Sequence, residues 1–118
     1  MKLAIIGSRS FEDYGFAVAH IQQFMAQEKE ILTHIVSGGA KGADQFGARF
    51  AEQNKVELLL FKPDWKRYGK RAGFIRNTDI VAHADCILAF WDGQSKGTKD
   101  SIDKATALNK KVVVVDIA

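Results

Sequence analysis

The chain has 118 residues, 47% of them hydrophobic, with a single proline and a single cysteine. That is enough apolar material for one compact domain burying roughly two-thirds of its unfolded surface, and no stretch approaches the length needed to cross a membrane. Lys and Arg number 17 against 14 Asp and Glu, a net charge of +3 that favours anionic ligands but comes in no block resembling a nucleic-acid-binding tail.

The first apolar run, Leu3–Ile6, is too short for the core of a signal peptide and reads as a strand. It runs into GSRS (Gly7–Ser10), after which Phe16–Glu30 places Val18, Ile21, Phe24 and Met25 on one helical stripe. A second strand, His34–Val36, enters SGGAKGAD (Ser37–Asp44), and Ala43–Asn54 follows as a helix with Phe46, Phe50 and Ala51 on its apolar face. The third strand, Leu58–Phe61, precedes the irregular stretch KPDWKRYGKR (Lys62–Arg71). That stretch is longer than a usual strand-to-helix connection and is therefore a candidate binding loop or lid. Ala72–His83 is the third helix, Cys86–Phe90 the fourth strand, Thr98–Asn109 the fourth helix and Val112–Val115 the last strand.

None of the five strands alternates polar with apolar residues, which is the pattern of strands covered on both faces in a parallel sheet. Strand alternating with helix predicts an α/β, Rossmann-like, doubly wound five-stranded parallel sheet with helices on both faces, forming one domain over residues 1–118. Cys86 lies within the fourth apolar run, so it is expected to be a buried small hydrophobe. One cysteine allows no internal disulfide, and the setting expected is the reducing cytoplasm.

In such a sheet the loops after the first four strands meet at its carboxyl edge, where open α/β sheets bind ligands. Glycines there admit close backbone approach, and helix N-termini offer N–H groups and positive dipole ends to phosphate. Ser8, Ser37, Ser95 and Thr98 add hydroxyls, and Arg9, Lys41, Arg76 and Lys96 add positive charge. Each feature also has a plain structural reading. Gly38, Gly39 and Gly42 would serve a tight turn, Ser95 or Thr98 an N-cap, and Asp100 a first-turn acid. Neither the dinucleotide-binding nor the triphosphate-binding glycine motif is present. His20, His34 and His83 have no ligand spacing, so neither a metal nor a cofactor is implied.

Taken together, GSRSF-D (Gly7–Asp13), VSGGAKGAD (Val36–Asp44), DWKRYGKRAGFIRN (Asp64–Asn77), ADCILAFWDGQSKGT (Ala84–Thr98) and KVVVV (Lys111–Val115) resemble the YspA-like, cpYpsA-related small domains of the SLOG superfamily. The resemblance implies strand order 3-2-1-4-5 and binding of a nucleotide or a nucleotide-derived small molecule such as an ADP-ribose-like ligand. Convergence of the four loops at one sheet edge places Gly7, Ser8, Arg9, Ser37, Gly38, Gly39, Gly42, Ser95, Gly97 and Thr98 around the phosphate. Arg76 and Asn77 would orient phosphate or ribose, Asp44 would accept from a ribose hydroxyl, and Asp92 would order the fourth loop.

The superfamily's phosphoribohydrolases pair an Arg on the third helix with a Glu opening the fourth. Arg76 and Asp100 are similar to that pair, so the alternative expectation is a nucleoside-monophosphate N-glycosidase with Arg76 and Asp100 as its catalytic residues. SGGAKGAD is also similar to a loop of the superfamily's DNA-processing proteins. That likeness, together with Trp65, Lys66, Arg67, Tyr68, Lys70 and Arg71, makes single-stranded nucleic acid a third candidate partner. No membrane partner is expected, and a homodimer is left open.

Overall fold

A computed structural model describes all 118 residues. Five strands, β1 (Lys2–Gly7), β2 (His34–Ser37), β3 (Glu57–Leu60), β4 (Cys86–Trp91) and β5 (Lys111–Asp116), alternate with α1 (Tyr14–Gln27), α2 (Ala43–Gln53), the one-turn α3 (Trp65–Tyr68), α4 (Ala72–His83) and α5 (Lys96–Ala107). The strands form one parallel sheet in the order β3-β2-β1-β4-β5, the expected Rossmann-like topology. The order reverses at β1. Its carboxyl end therefore stands beside that of β4, with Gly7 in register with Phe90 and the Ser8 N–H donating to the Phe90 carbonyl at 2.9 Å.

Alternate residues of the central strands feed two cores. Leu3, Ile5, Ile35, Leu88 and Phe90 pack against Ala17, Ile21 and Phe24 of α1 and Phe50 and Ala51 of α2. Ala4, Ile6, Val36, Ile87 and Ala89 meet Ile80 and Val81 of α4 and Ala105 of α5 on the other face. Strands buried on both sides need no polar alternation, which is why β1 and β4 read as unbroken apolar runs.

The two edge strands depart from that expectation. Leu58 and Leu60 of β3 and Val114 of β5 are exposed, because an edge strand extends past the helices that cover the middle of the sheet. The stretch Lys62–Arg71 is also more ordered than its composition predicts. Asp64 caps a turn of helix by accepting from the Arg67 N–H at 3.1 Å, and a 3₁₀ turn over Gly69–Arg71 leads straight into α4. The α1 helix begins two residues before the predicted Phe16, since Asp13 accepts from the Phe16 N–H and so acts as its N-cap. Cys86 is buried as expected, and burial pushes its thiol pKa up.

Candidate functional site

A cavity of about 430 Å³ opens at the carboxyl edge where β1 and β4 part. The end of β1 and the loop after it contribute Ile6, Gly7, Ser8, Arg9 and Ser10, the β2–α2 loop contributes Ala40 and the start of α2 Asp44. Arg76, Asn77 and Ile80 project from α4, and Asp92, Ser95, Gly97, Thr98 and Ser101 close the side formed by β4 and α5. A switch in strand order is where an open α/β sheet leaves such a crevice.

The floor is polar and buried. Ser8, Asp44, Asn77, Thr98 and Ser101 are each at most 6% exposed. The Ser8 hydroxyl accepts from the Asp92 N–H at 3.1 Å. Asp92 in turn accepts from the Gln94 and Ser95 N–H groups at 2.8 and 2.9 Å, which hold its carboxyl below the usual carboxylate range and fold the β4–α5 loop into its entry turn. Ser95 caps α5 by accepting from the Thr98 N–H at 3.3 Å, and its hydroxyl also meets that of Thr98 at 3.0 Å. The opposing N-terminus of α2 takes no side-chain cap, so its first-turn N–H groups have no side-chain acceptor at Gly42.

Arg76 is held in place by two hydrogen bonds. Its Nη1 donates to the Gly38 carbonyl at 2.9 Å and its Nε to the Asn77 Oδ1 at 3.1 Å, while the Asn77 amide donates onward to the Gly97 carbonyl and Asp100 Oδ2, both at 3.2 Å. Gly38 is the spacer between Arg76 and Asp44. A Cβ at that position would lie 2.3 Å from Arg76 Nη1 and 2.8 Å from Asp44 Oδ2. Asp44 accepts from the Gly38 N–H at 3.2 Å, and burial raises its pKa from 3.8 to about 6 despite the opposing pull of Arg76. Burial also lowers the Arg76 pKa, with Asp44 acting against it and Arg9 reinforcing it. Neither arginine belongs to an ion pair, for the pairs in this chain are Lys99–Asp103, Lys104–Asp100 and Lys111–Glu28.

Not every predicted residue reaches the cavity. Ser37 is fully buried, donating to the Asp44 carbonyl at 2.8 Å and accepting from the Gly39 N–H at 3.2 Å, so it shapes the loop from beneath. Gly42 has φ +80° and sits where a Cβ would lie 2.3 Å from the Ser8 carbonyl oxygen, so it lets the second loop rest on the first. Gly38 and Gly39 face a neighbouring groove. Asp100, the expected catalytic carboxylate, does not line the cavity. It is held by Lys104 Nζ at 2.8 Å and by Asn77, and so serves the network that orients Asn77. Five lining residues, Ile6, Ser10, Ala40, Ile80 and Ser101, were not singled out as site residues from the sequence, although helical spacing marks two of them: Ile80 lies three residues after Asn77 and Ser101 four after Gly97. No group of His, Cys, Asp or Glu is arranged to hold a metal ion.

The model of the YspA, cpYpsA-related SLOG family matches residues 1–68, more than half of the chain and the whole of the β1–β3 side of this site. The chain belongs to that family. A relative of the chain, the Gene 61 protein of Mycobacterium phage D29, is 42% identical over an alignment covering 60% of this chain and 62% of the phage protein. DNA processing protein A (DprA) of Streptococcus pneumoniae shares the fold, with a TM-score of 0.77 and 20% identity over 99% of this chain and 50% of the pneumococcal one. The chain thus spans less than two-thirds of either relative's own length.

Proposed function

We propose that this SLOG domain binds the phosphate of a nucleotide or nucleotide-derived ligand in the cavity between β1 and β4. Family membership and the fold shared with a DNA-processing protein support a nucleotide- or nucleic-acid-related role. The observation that carries the finer reading is that two arginines without ion pairs, Arg9 and Arg76, face one buried polar cavity. An anion there gains charge-assisted hydrogen bonds without displacing a carboxylate partner. The Ser8 and Thr98 hydroxyls and the uncapped start of α2 supply neutral donors to the same oxygens. Asn77 fixes the direction from which Arg76 reaches in, and Asp44 is the acceptor for a ribose hydroxyl.

The reading is one of binding. With Asp100 committed to Lys104 and Asn77, the α5 carboxylate needed by an N-glycosidase mechanism is not aimed at the cavity. Calorimetric titration with AMP, ADP-ribose, NAD and cyclic nucleotides tests the proposal. At least one should bind saturably, and Arg76→Ala should weaken it tenfold or more, the range lost with a charged hydrogen bond. Indifference of the wild-type chain to the whole panel would overturn it.

A further inference from the structure

On the far side of Arg9 and Arg76 from the cavity lies a groove of about 500 Å³, whose walls include Lys41, Lys62 and Trp65. Arg9, Ala40 and Arg76 line both spaces, so the two form one continuous surface with the arginines at the junction. Four cations and no carboxylate line the groove, and none of the four belongs to an ion pair. Trp65 is 54% exposed, and its ring stacks on no other aromatic side chain. Its backbone is held in α3 behind the Asp64 cap, and the far edge of its ring lies over Gly73, with Cη2 3.7 Å from where a Cβ would be. Of the basic residues that follow it, Lys66, Arg67, Lys70 and Arg71 do not line the groove.

We infer that this groove is a second nucleotide subsite, and that the ligand is two nucleotide units joined through phosphate. The inference rests on the reading that the first cavity takes a nucleotide phosphate. A cavity of about 430 Å³ has the volume of a small-ligand pocket, so one nucleotide fills it and leaves the groove to a second unit. The linking phosphate sits at the junction, where Arg9 and Arg76 reach it from either side. Lys41 and Lys62 meet the second unit's phosphate oxygens as mobile point charges. The second base lies on the open face of Trp65, a contact that accepts any base because every base has a π face. A simple polyphosphate would satisfy the lysines and leave the indole unused.

The test is titration of the full chain with the four 5′-mononucleotides and the matching 5′-phosphorylated homodinucleotides, followed by calorimetry and tryptophan fluorescence. The dinucleotide should bind roughly tenfold or more tighter than its mononucleotide, the gain expected from one stacked base. Trp65→Ala and Lys62→Ala should each reduce that gain and leave mononucleotide affinity within about twofold. Trp65→Phe should retain part of it, and the quench seen with dinucleotide should vanish in that variant. Decanucleotides separate the two sources of this chemistry, since affinity equal to the dinucleotide's identifies a free linked ligand and a further gain identifies a single strand. If mononucleotides bind and dinucleotides bind no tighter, or if Trp65→Ala weakens both alike, the second subsite is wrong and the first stands. If nothing in the panel binds, the reading of the first cavity falls with it.

Discussion

Asp44 is the residue on which the charge balance of the site turns. Its pKa of about 6 exceeds the 3.8 of an unfolded Asp, so between those values the folded chain holds a proton that the unfolded chain has released. Stability therefore falls as pH rises through this window, by up to roughly 3 kcal/mol if no other group compensates. Asp44→Asn keeps an acceptor for the Gly38 N–H and removes the titration. Urea unfolding between pH 4 and 7 should show the wild type losing stability relative to the variant as pH rises. The same carboxylate, once ionised, opposes an incoming anion. Affinity for a diester ligand such as ADP-ribose, whose own charge is constant over this range, should thus rise as pH drops through about 6 and stay flat in Asp44→Asn. Neither effect is visible in the string SGGAKGAD, because burial of Asp44 is a tertiary property and the charges that act on it, Arg76 and Arg9, are far away in sequence.

Elements carry different weights according to their place in the sheet. Leu3 of the central β1 is fully buried, whereas Leu60 of the edge strand β3 is 42% exposed. Leu3→Ala should cost about 2–5 kcal/mol in chemical denaturation and Leu60→Ala less than about 1 kcal/mol, although the sequence presents both as members of apolar runs. Gly42→Ala belongs to the same scale, because it breaks a contact between two loops. A Cβ in a left-handed conformation against the Ser8 carbonyl should cost roughly 2–3 kcal/mol and disturb ligand binding with it. All five strands and the four long helices were legible from apolar runs and helical stripes, since local periodicity encodes them. The edge exposure of β3 was not, because a run of leucines looks alike wherever the sheet places it. The helical turn at Trp65–Tyr68 was masked by a composition rich in charge and broken by Pro63 and Gly69, although Asp64 three residues before Arg67 carried the capping signal. At the site, the convergence of the loops could be read from their positions after strands. The division of labour within SGGAKGAD could not, since only the packing shows that Gly42 supports a neighbouring loop while Gly38 spaces two charges.

For the molecule as a whole, four basic side chains without ion pairs gather along one groove at the rim of the sheet. Arg9, Lys41 and Lys62 are exposed there, so raising the salt concentration should weaken ligand binding several-fold while leaving the melting temperature nearly unchanged, because the hydrophobic cores carry little of that charge. A ligand present at a hundred times its Kd should add about 2.7 kcal/mol to the stability of the native state, readable as a rise in melting temperature. The position of β1 has a separate consequence for how the chain acquires its shape. β1 lies in the middle of the sheet, with β2 on one side and β4, more than eighty residues downstream, on the other. Until residues 86–91 have left the ribosome, the strand destined for the centre holds one bare hydrogen-bonding edge, and the nascent chain is open to chaperones and to aggregation over that interval.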